Sequence, residues 1–431
     1  MIAVRMAIAA VALLLGGCRA VVGSPRDDAD LSRAWAAWQG GDFAGARVEA
    51  ESLLTEPETA AAGHLMLALT AHVQGDHRAA IAHFERIDRS YPWYGLLVEP
   101  LLWSYVFAGE FDGAVAHAER HRLGRVTRDR IRLARDRPLA VAIGGVVELP
   151  FTTDALSAYM PGVEGTLNGV DIIARLDTGG AYVHLSEDAA QRFGIATIGC
   201  DTGFASLSRT RICYGVADLE LGPVTLRNVP VAVHAEGLSA APLAEHFGSR
   251  MDAIIGTNVL ERFLATVDGP NARLILSDRQ DPTAAERHRL LLDGAALEVP
   301  FGMWTDHLMI ARGELAGRSP VNVFVDSGLV IVTPDQGQAS LLIPQRTLEA
   351  LGGTVVDDQP LSPLPGASGL AGAVRQDLLA YPVPERTWQG FGDWGGVEVA
   401  ALIGWGYLKH YAWTVDFDRR VFLLRAGERT P

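Results

Sequence analysis

Two internal repeats of different kinds predict a multidomain protein, an all-α helical array followed by a mainly-β, two-lobed domain. The first repeat is short. Gly41-Asp42-Phe43 with Ala46, Gly75-Asp76-His77 with Ala80, and Gly109-Glu110-Phe111 with Ala114 recur at a spacing of 34 residues in an Ala-rich stretch of helical period. The second is long: Glu148-Leu149-Pro150-Phe151 returns as Glu298-Val299-Pro300-Phe301, an offset of 150, and Ala174-Arg175-Leu176-Asp177-Thr178-Gly179 returns as Val323-Phe324-Val325-Asp326-Ser327-Gly328, an offset of 149. Ile254-Ile255-Gly256 with Thr266-Val267-Asp268 returns as Leu402-Ile403-Gly404 with Thr414-Val415-Asp416, an offset of 148. The third observation is compositional: 48% of the 431 residues are apolar and 20% charged, enough to build the cores of two or three domains.

At the N-terminus, Met1 to Leu15 carries one early charge, Arg5, and then the apolar run Ile8 to Leu15, too short to span a bilayer. The run ends in Leu15-Gly16-Gly17-Cys18, which resembles the lipobox of bacterial lipoproteins. That resemblance implies a signal peptide over 1–17, acylation of Cys18, a linker over 18–29, and a periplasm-facing chain lipid-anchored in the bacterial cell envelope, at the inner or the outer membrane. No other stretch is apolar enough to cross a membrane.

Residues 30–137 form the helical region. The period, together with Phe84 and Pro92, makes it resemble about three tetratricopeptide repeats, which implies stacked helical hairpins and a groove for a protein partner. A plain helical spacer is the other reading. Trp35, Trp38, Trp103 and Tyr105 are expected to line the inter-helix core. Arg120 to Arg137, with eight arginines, reads as a connecting helix with a solvated face. His117 and His121 stand four apart with no third ligand following, so they read as surface histidines and no metal is expected. Thirty-seven Lys+Arg against 51 Asp+Glu gives a net charge of −14, which argues against nucleic acid as a partner.

In each long copy, β-branched and aromatic runs alternate with Gly, Pro and Asp breaks, so each reads as a mainly-β lobe, 139–279 and 296–427, with an inter-lobe linker over 280–295. Short helices, Glu187 to Phe193 and Pro344 to Leu351, interrupt the strands. An apolar strand ending in Asp-Thr/Ser-Gly, followed 79 or 78 residues later by two apolar residues and Gly, resembles the aspartic proteases; two such lobes in one chain are similar to the pepsin arrangement, each lobe resembling a retropepsin subunit. The resemblance covers roughly Leu139 to Leu424.

It implies that Asp177 and Asp326 form a catalytic pair, that Thr178 and Ser327 hydrogen-bond across to the opposite lobe, that Gly179 and Gly328 permit close approach, and that Ile255-Gly256 and Ile403-Gly404 pack behind the two loops. Two adjacent carboxylates cannot both ionise, so one can take a proton from water while the other donates to the scissile carbonyl. The reaction needs no cofactor. Gly180 stands where pepsin-like enzymes carry Ser or Thr and retroviral ones Ala, Leu329 takes the matching place in the second lobe, and Tyr214 is the only candidate for a flap tyrosine.

Asp201-Thr202-Gly203 has the motif's letters but follows Gly199-Cys200 rather than an extended apolar run, and reads as a loop. It lies where the family places the flap hairpin, between Cys200 and Cys213, which in an oxidising compartment either bridge or remain two buried thiols. Gly390-Phe391-Gly392-Asp393-Trp394-Gly395 matches a dinucleotide pattern by letters only and reads as a loop. The expected function is an aspartic endopeptidase acting on a protein or peptide substrate recruited by the helical repeats. The alternative is an inactive relative serving as a peptide-binding or assembly adaptor.

Overall fold

The structure is a computed structural model. It describes residues 25, 28–205, 208–292, 295–333, 335–356, 359–390 and 394–426. The signal peptide and Cys18 lie outside the described residues, as do 391–393 of the Gly390–Gly395 segment.

Seven helices open the chain: α1 (Ser32–Gln39), α2 (Phe43–Ser52), α3 (Ala60–Val73), α4 (His77–Phe84), α5 (Val98–Phe107), α6 (Phe111–Arg120) and α7 (Arg125–Asp136). The repeated glycines explain the three hairpins α1–α2, α3–α4 and α5–α6. Gly41, Gly75 and Gly109 turn the chain at φ 69°, 83° and 73°, a conformation that stops a helix without a Cβ penalty. The next residue then caps the returning helix: Asp42 accepts from the Gly45 amide and Asp76 from the Ala79 amide, whereas Glu110 makes no such bond. Leu65, Met66 and Leu69 of α3 are fully buried, as expected of the central helix.

The array shares a core with the second lobe. The Trp38 ring meets Trp304 edge-on at 6.0 Å, and its indole N–H donates to Gly395 O at 2.6 Å. Asn322 Nδ2 donates to Gln39 O at 3.3 Å, and the Arg312 guanidinium donates to Gly40 O. Trp35 and Trp38 therefore face the lobe as well as their own hairpin. Trp103 is only half-buried, while Tyr105 is buried.

Two sequence expectations are corrected here. His117 is not a surface residue: it is 2% exposed, and its Nε2 donates to Val98 O at 2.7 Å, because the α6 face carrying Ala114 and Ala118 turns inward onto α5. Nor is α7 simply a solvated connector. Ion pairs such as Arg132–Glu119 and Arg135–Asp112 do lie outside, but Val126 packs with Ile212, Tyr214 and Ala232 of the first lobe.

Each lobe follows from its strands. An eight-stranded sheet forms the first, and a twelve-stranded sheet forms the second and extends into the first. Six antiparallel strands make the shared floor, in the order Val146–Pro150, Arg273–Asp278, Phe263–Asp268, Tyr411–Asp416, Val421–Ala426 and Leu297–Trp304. Its centre is an approximate two-fold: Thr266 lies opposite Thr414, their hydroxyls 2.6 Å apart. Segment 280–295 holds the helix Pro282–Leu290, whose fully buried His288 bonds Thr266 and Ser277 beneath that floor.

Asp201-Thr202-Gly203 is strand rather than loop. It lies within Thr197–Ala205, which pairs with Ser208–Leu221 across a long hairpin, and ladder bonds override the turn propensity of Asp and Gly there. Among the described residues, no helix is long and apolar enough to cross a membrane, and no cluster of three metal-ligating side chains occurs.

Candidate active site

The strand Val170–Leu176 passes from exposed to buried and leads into Asp177; Arg318–Val325 does the same for Asp326. Each aspartate is pinned from behind by the later apolar-Gly segment. Leu176 pairs in parallel with Ile255 and Val325 with Ile403, and the Asp177 and Asp326 amides each donate at 2.9 Å to the carbonyls of Ile255 and Ile403. The two loops then face each other across the two-fold.

The reciprocity extends to the glycine amides and the hydroxyls at the loop tips. Gly179 N donates to Asp177 Oδ1 at 2.8 Å, and Gly328 N to Asp326 Oδ1 at 2.9 Å. A Cβ on Gly179 would collide with the Asp326 carboxylate, and one on Gly328 with the Asp177 carboxylate, so both positions require glycine for approach rather than for backbone conformation. Thr178 N donates to Ser327 Oγ at 3.0 Å, Ser327 N donates to Thr178 Oγ1 at 3.0 Å, and Thr178 Oγ1 donates to Val325 O at 3.3 Å. Both hydroxyl residues are fully buried.

The two carboxyls meet at the loop tips, each lying against the glycine of the opposite loop. Burial raises the Asp177 carboxyl, opposed by its neighbour Asp326, by the Gly179 and Gly328 amides and by nearby His307. Burial and the adjacent Asp177 charge push Asp326 well above the usual carboxylate range. The pair therefore holds one proton between them, with Asp326 the more strongly protonated member. Asp326 is 1% exposed, whereas Asp177 keeps some access to solvent.

Several neighbours carry no sequence signal. His184 Nε2 occupies the place a Cβ on residue 180 would take, 2.6 Å away, which accounts for Gly180. Behind it, His184 Nδ1 lies 2.9 Å from His234 Nε2, and burial keeps both rings neutral, His234 being lowered to about 4. From the second lobe, the turn Asp306-His307 reaches toward the first loop. Thr257 Oγ1 donates to Gly180 O at 3.3 Å and to Asp306 O at 3.4 Å, and Tyr182 OH donates to Asp306 Oδ2 at 3.2 Å. His307 Nδ1 donates to Asp306 Oδ1 at 2.7 Å, leaving its buried Nε2 without a hydrogen-bond partner.

Cys200 and Cys213 are bonded as a disulfide across the first-lobe hairpin, where they are directly opposed. Tyr214, beside Cys213, is 4% exposed, and the Arg130 guanidinium of α7 sits 4.1 Å from its ring centre. Arg130 also donates to Tyr182 OH, so one helical-region side chain holds two tyrosines of the first lobe.

Residues 163–259 match a family model described as aspartyl protease. Among solved structures, a retropepsin-like aspartic protease from Rickettsia conorii is 19% identical, covering 32% of this chain and 92% of its own at a TM-score of 0.21. The aspartic proteinase from Irpex lacteus is 11% identical, covering 66% of this chain and 98% of its own at a TM-score of 0.41. Among curated proteins, none matches this chain. The match across 163–259 takes in the Asp177 loop, the disulfide hairpin and Ile255-Gly256, and makes this segment similar to aspartyl proteases.

Proposed function

We propose that this protein is an aspartic endopeptidase of the bacterial cell envelope, lipid-anchored at Cys18, that hydrolyses a protein substrate with Asp177 and Asp326. The observation that supports this most is the tip-to-tip meeting of the two loops, Gly179 against the Asp326 carboxylate and Gly328 against the Asp177 carboxylate, tied by reciprocal Thr178–Ser327 bonds.

Asp177, the more readily ionised member, takes a proton from a water that attacks the peptide carbonyl. Asp326 donates its proton to the carbonyl oxygen, giving a neutral gem-diol. As the C–N bond breaks, one diol hydroxyl returns its proton to Asp326 and the proton on Asp177 passes to the leaving nitrogen, so both carboxyls return to their starting state. The substrate lies extended between the lobes, recognised through its backbone. The three helical hairpins, read as tetratricopeptide-like repeats, recruit the target.

The test is cleavage of an unfolded protein by the purified chain between mildly acid and neutral pH, with fragments identified by mass spectrometry. Asp177→Asn and Asp326→Asn are each expected to abolish the fragments; full cleavage by Asp177→Asn sinks the proposal. A second reading, a peptide-holding adaptor, is favoured by the near-complete burial of Asp326 and by the clamp of Arg130 on Tyr214. It predicts that both variants retain peptide binding and that the wild-type chain yields no fragments.

A further inference from the structure

The helical array does not lie flush against the first lobe. Between α5, α7 and the inter-lobe region lies a cavity of about 540 Å³, within the ~300–1,000 Å³ typical of small-molecule sites, and at the kind of domain junction where such sites concentrate. Tyr182, Tyr214 and Asp306 beside the first loop line it, but neither Asp177 nor Asp326 does.

Its two sides differ in chemistry. Leu102, Trp103, Val106 and Phe107 of α5 make one side apolar. Five arginines and three acids stand among the remaining lining residues, and the acids are already engaged. Glu261 pairs with Arg262 at 2.6 Å, Asp418 with Arg279 at 3.3 Å, and Asp306 accepts from Tyr182 and His307.

Arg420 is the exception. Glu261 and Asp418 face it as charges and the Phe301 ring lies 5.9 Å away, but its Nε is buried with no hydrogen-bond partner, and its Nη1 meets Met303 Sδ at 3.3 Å. Burial lowers it to about 10, so it remains charged at neutral pH. Gly75 at the α3–α4 turn makes room for it, since a Cβ there would lie 2.8 Å from Arg420 Nε. Asn258 Oδ1 and His77 Nδ1, also at the cavity, are likewise buried without hydrogen-bond partners. Leaving a guanidinium desolvated and undersatisfied is costly. A carboxylate answers its planar fork with two charge-assisted bonds.

We propose that this cavity binds a small carboxylate with an apolar body, its acid group on Arg420 and its body along the α5 side. The site stands independently of peptide hydrolysis.

Decanoate is the probe and decanol, of equal chain length without the charge, its control. Both are titrated calorimetrically into the purified full chain below millimolar concentration, with Trp103 fluorescence as a second signal. Saturable one-to-one binding of decanoate is expected, with decanol about tenfold weaker or worse. Arg420→Met keeps the stem and is expected to weaken decanoate by about tenfold. Val106→Trp fills the cavity from the opposite side, is expected to abolish binding, and decides the matter should Arg420→Met not fold. Absence of saturable binding, equal affinity for decanol, or wild-type affinity in the folded variants overturns the proposal. Repeating the titration with Asp177→Asn gives the same affinity, which separates this site from any failure of the peptidase reading.

Discussion

Replacing Thr178 by valine isolates the bond that joins the two lobes at their loop tips. Valine has the shape of threonine, so the change removes a hydroxyl from a fully buried site without opening a cavity. Two interactions go: the 3.0 Å bond accepted from Ser327 N and the 3.3 Å bond donated to Val325 O. Val325 O is in a paired strand, but the Ser327 amide is left buried and unsatisfied, at about 1–3 kcal/mol, and the weaker bond adds about 0.5–1.5 kcal/mol. The expected loss is about 1.5–4.5 kcal/mol, read from urea unfolding followed by tryptophan fluorescence. Thr178→Ser keeps the hydroxyl and should recover most of it. Ser327→Ala removes the mirror bond, so the double variant should lose less than the sum of the singles, because each single change already disturbs the reciprocal pair. Loop displacement of this kind should also lower turnover by about a hundredfold. A Thr178→Val chain within about 0.5 kcal/mol of wild type, or one additive with Ser327→Ala, would refute the reasoning.

Asp326→Asn should abolish turnover yet raise the unfolding midpoint, and the gain should grow from pH 4 to pH 8. The folded state holds Asp326 protonated above the usual carboxylate range while the unfolded chain releases that proton, so this group costs stability as pH rises; a gain that shrinks with pH contradicts this. The buried histidines act in the opposite sense. His234 and His288 are lowered by burial to about 4, so the unfolded chain takes up protons first and the stability they contribute, complete above about pH 6.5, is lost as pH falls toward 4. Thermal midpoints across that window should fall, and less steeply in His234→Gln. Cys200→Ser with Cys213→Ser should cost up to about 3 kcal/mol and expose the first-lobe hairpin to added trypsin; a hairpin equally protected without the bridge would assign its order to α7 instead.

What could be read from the sequence was local or repeated. The Asp-Thr-Gly and Asp-Ser-Gly segments are contiguous, occur twice and recur with their apolar-Gly partners at nearly the same distance, so they announced two facing loops before any contact was known. The helix breaks at Gly41, Gly75 and Gly109 were legible for the same reason. Asp306-His307 was not: positions 156 and 157 of the first copy are Leu and Ser, so the repeat gives no echo of that turn, and its link to Tyr182 spans 124 residues. Four-residue spacing put His117 and His121 on one helix face, but it cannot say which face turns inward, and tertiary packing turned His117's face onto α5. The docking of the array on the second lobe was hidden because Trp35 and Trp38 would look the same in a hairpin that buried them alone. Gly180 stood out in the sequence only as a departure from the Ser, Thr or Ala of the family it resembles, whereas it is the space into which His184 fits.

The shared floor centred on Thr266 and Thr414 also bears on what a tandem chain can do that a pair of identical subunits cannot. In an assembly of identical copies every substitution appears twice, so any surface that seats a helical array on one half offers a second seat on the other. Covalent duplication removes that obligation. Here the two halves seat different helices: the second gives Trp304, Leu308 and Ile310 to the hairpins, while the first takes α7 at Ile212 and Tyr214 and keeps the Cys200–Cys213 hairpin and the His184–His234 pair. The division of labour fixes one array per two-lobed unit and gives an otherwise symmetric pair of lobes a left and a right.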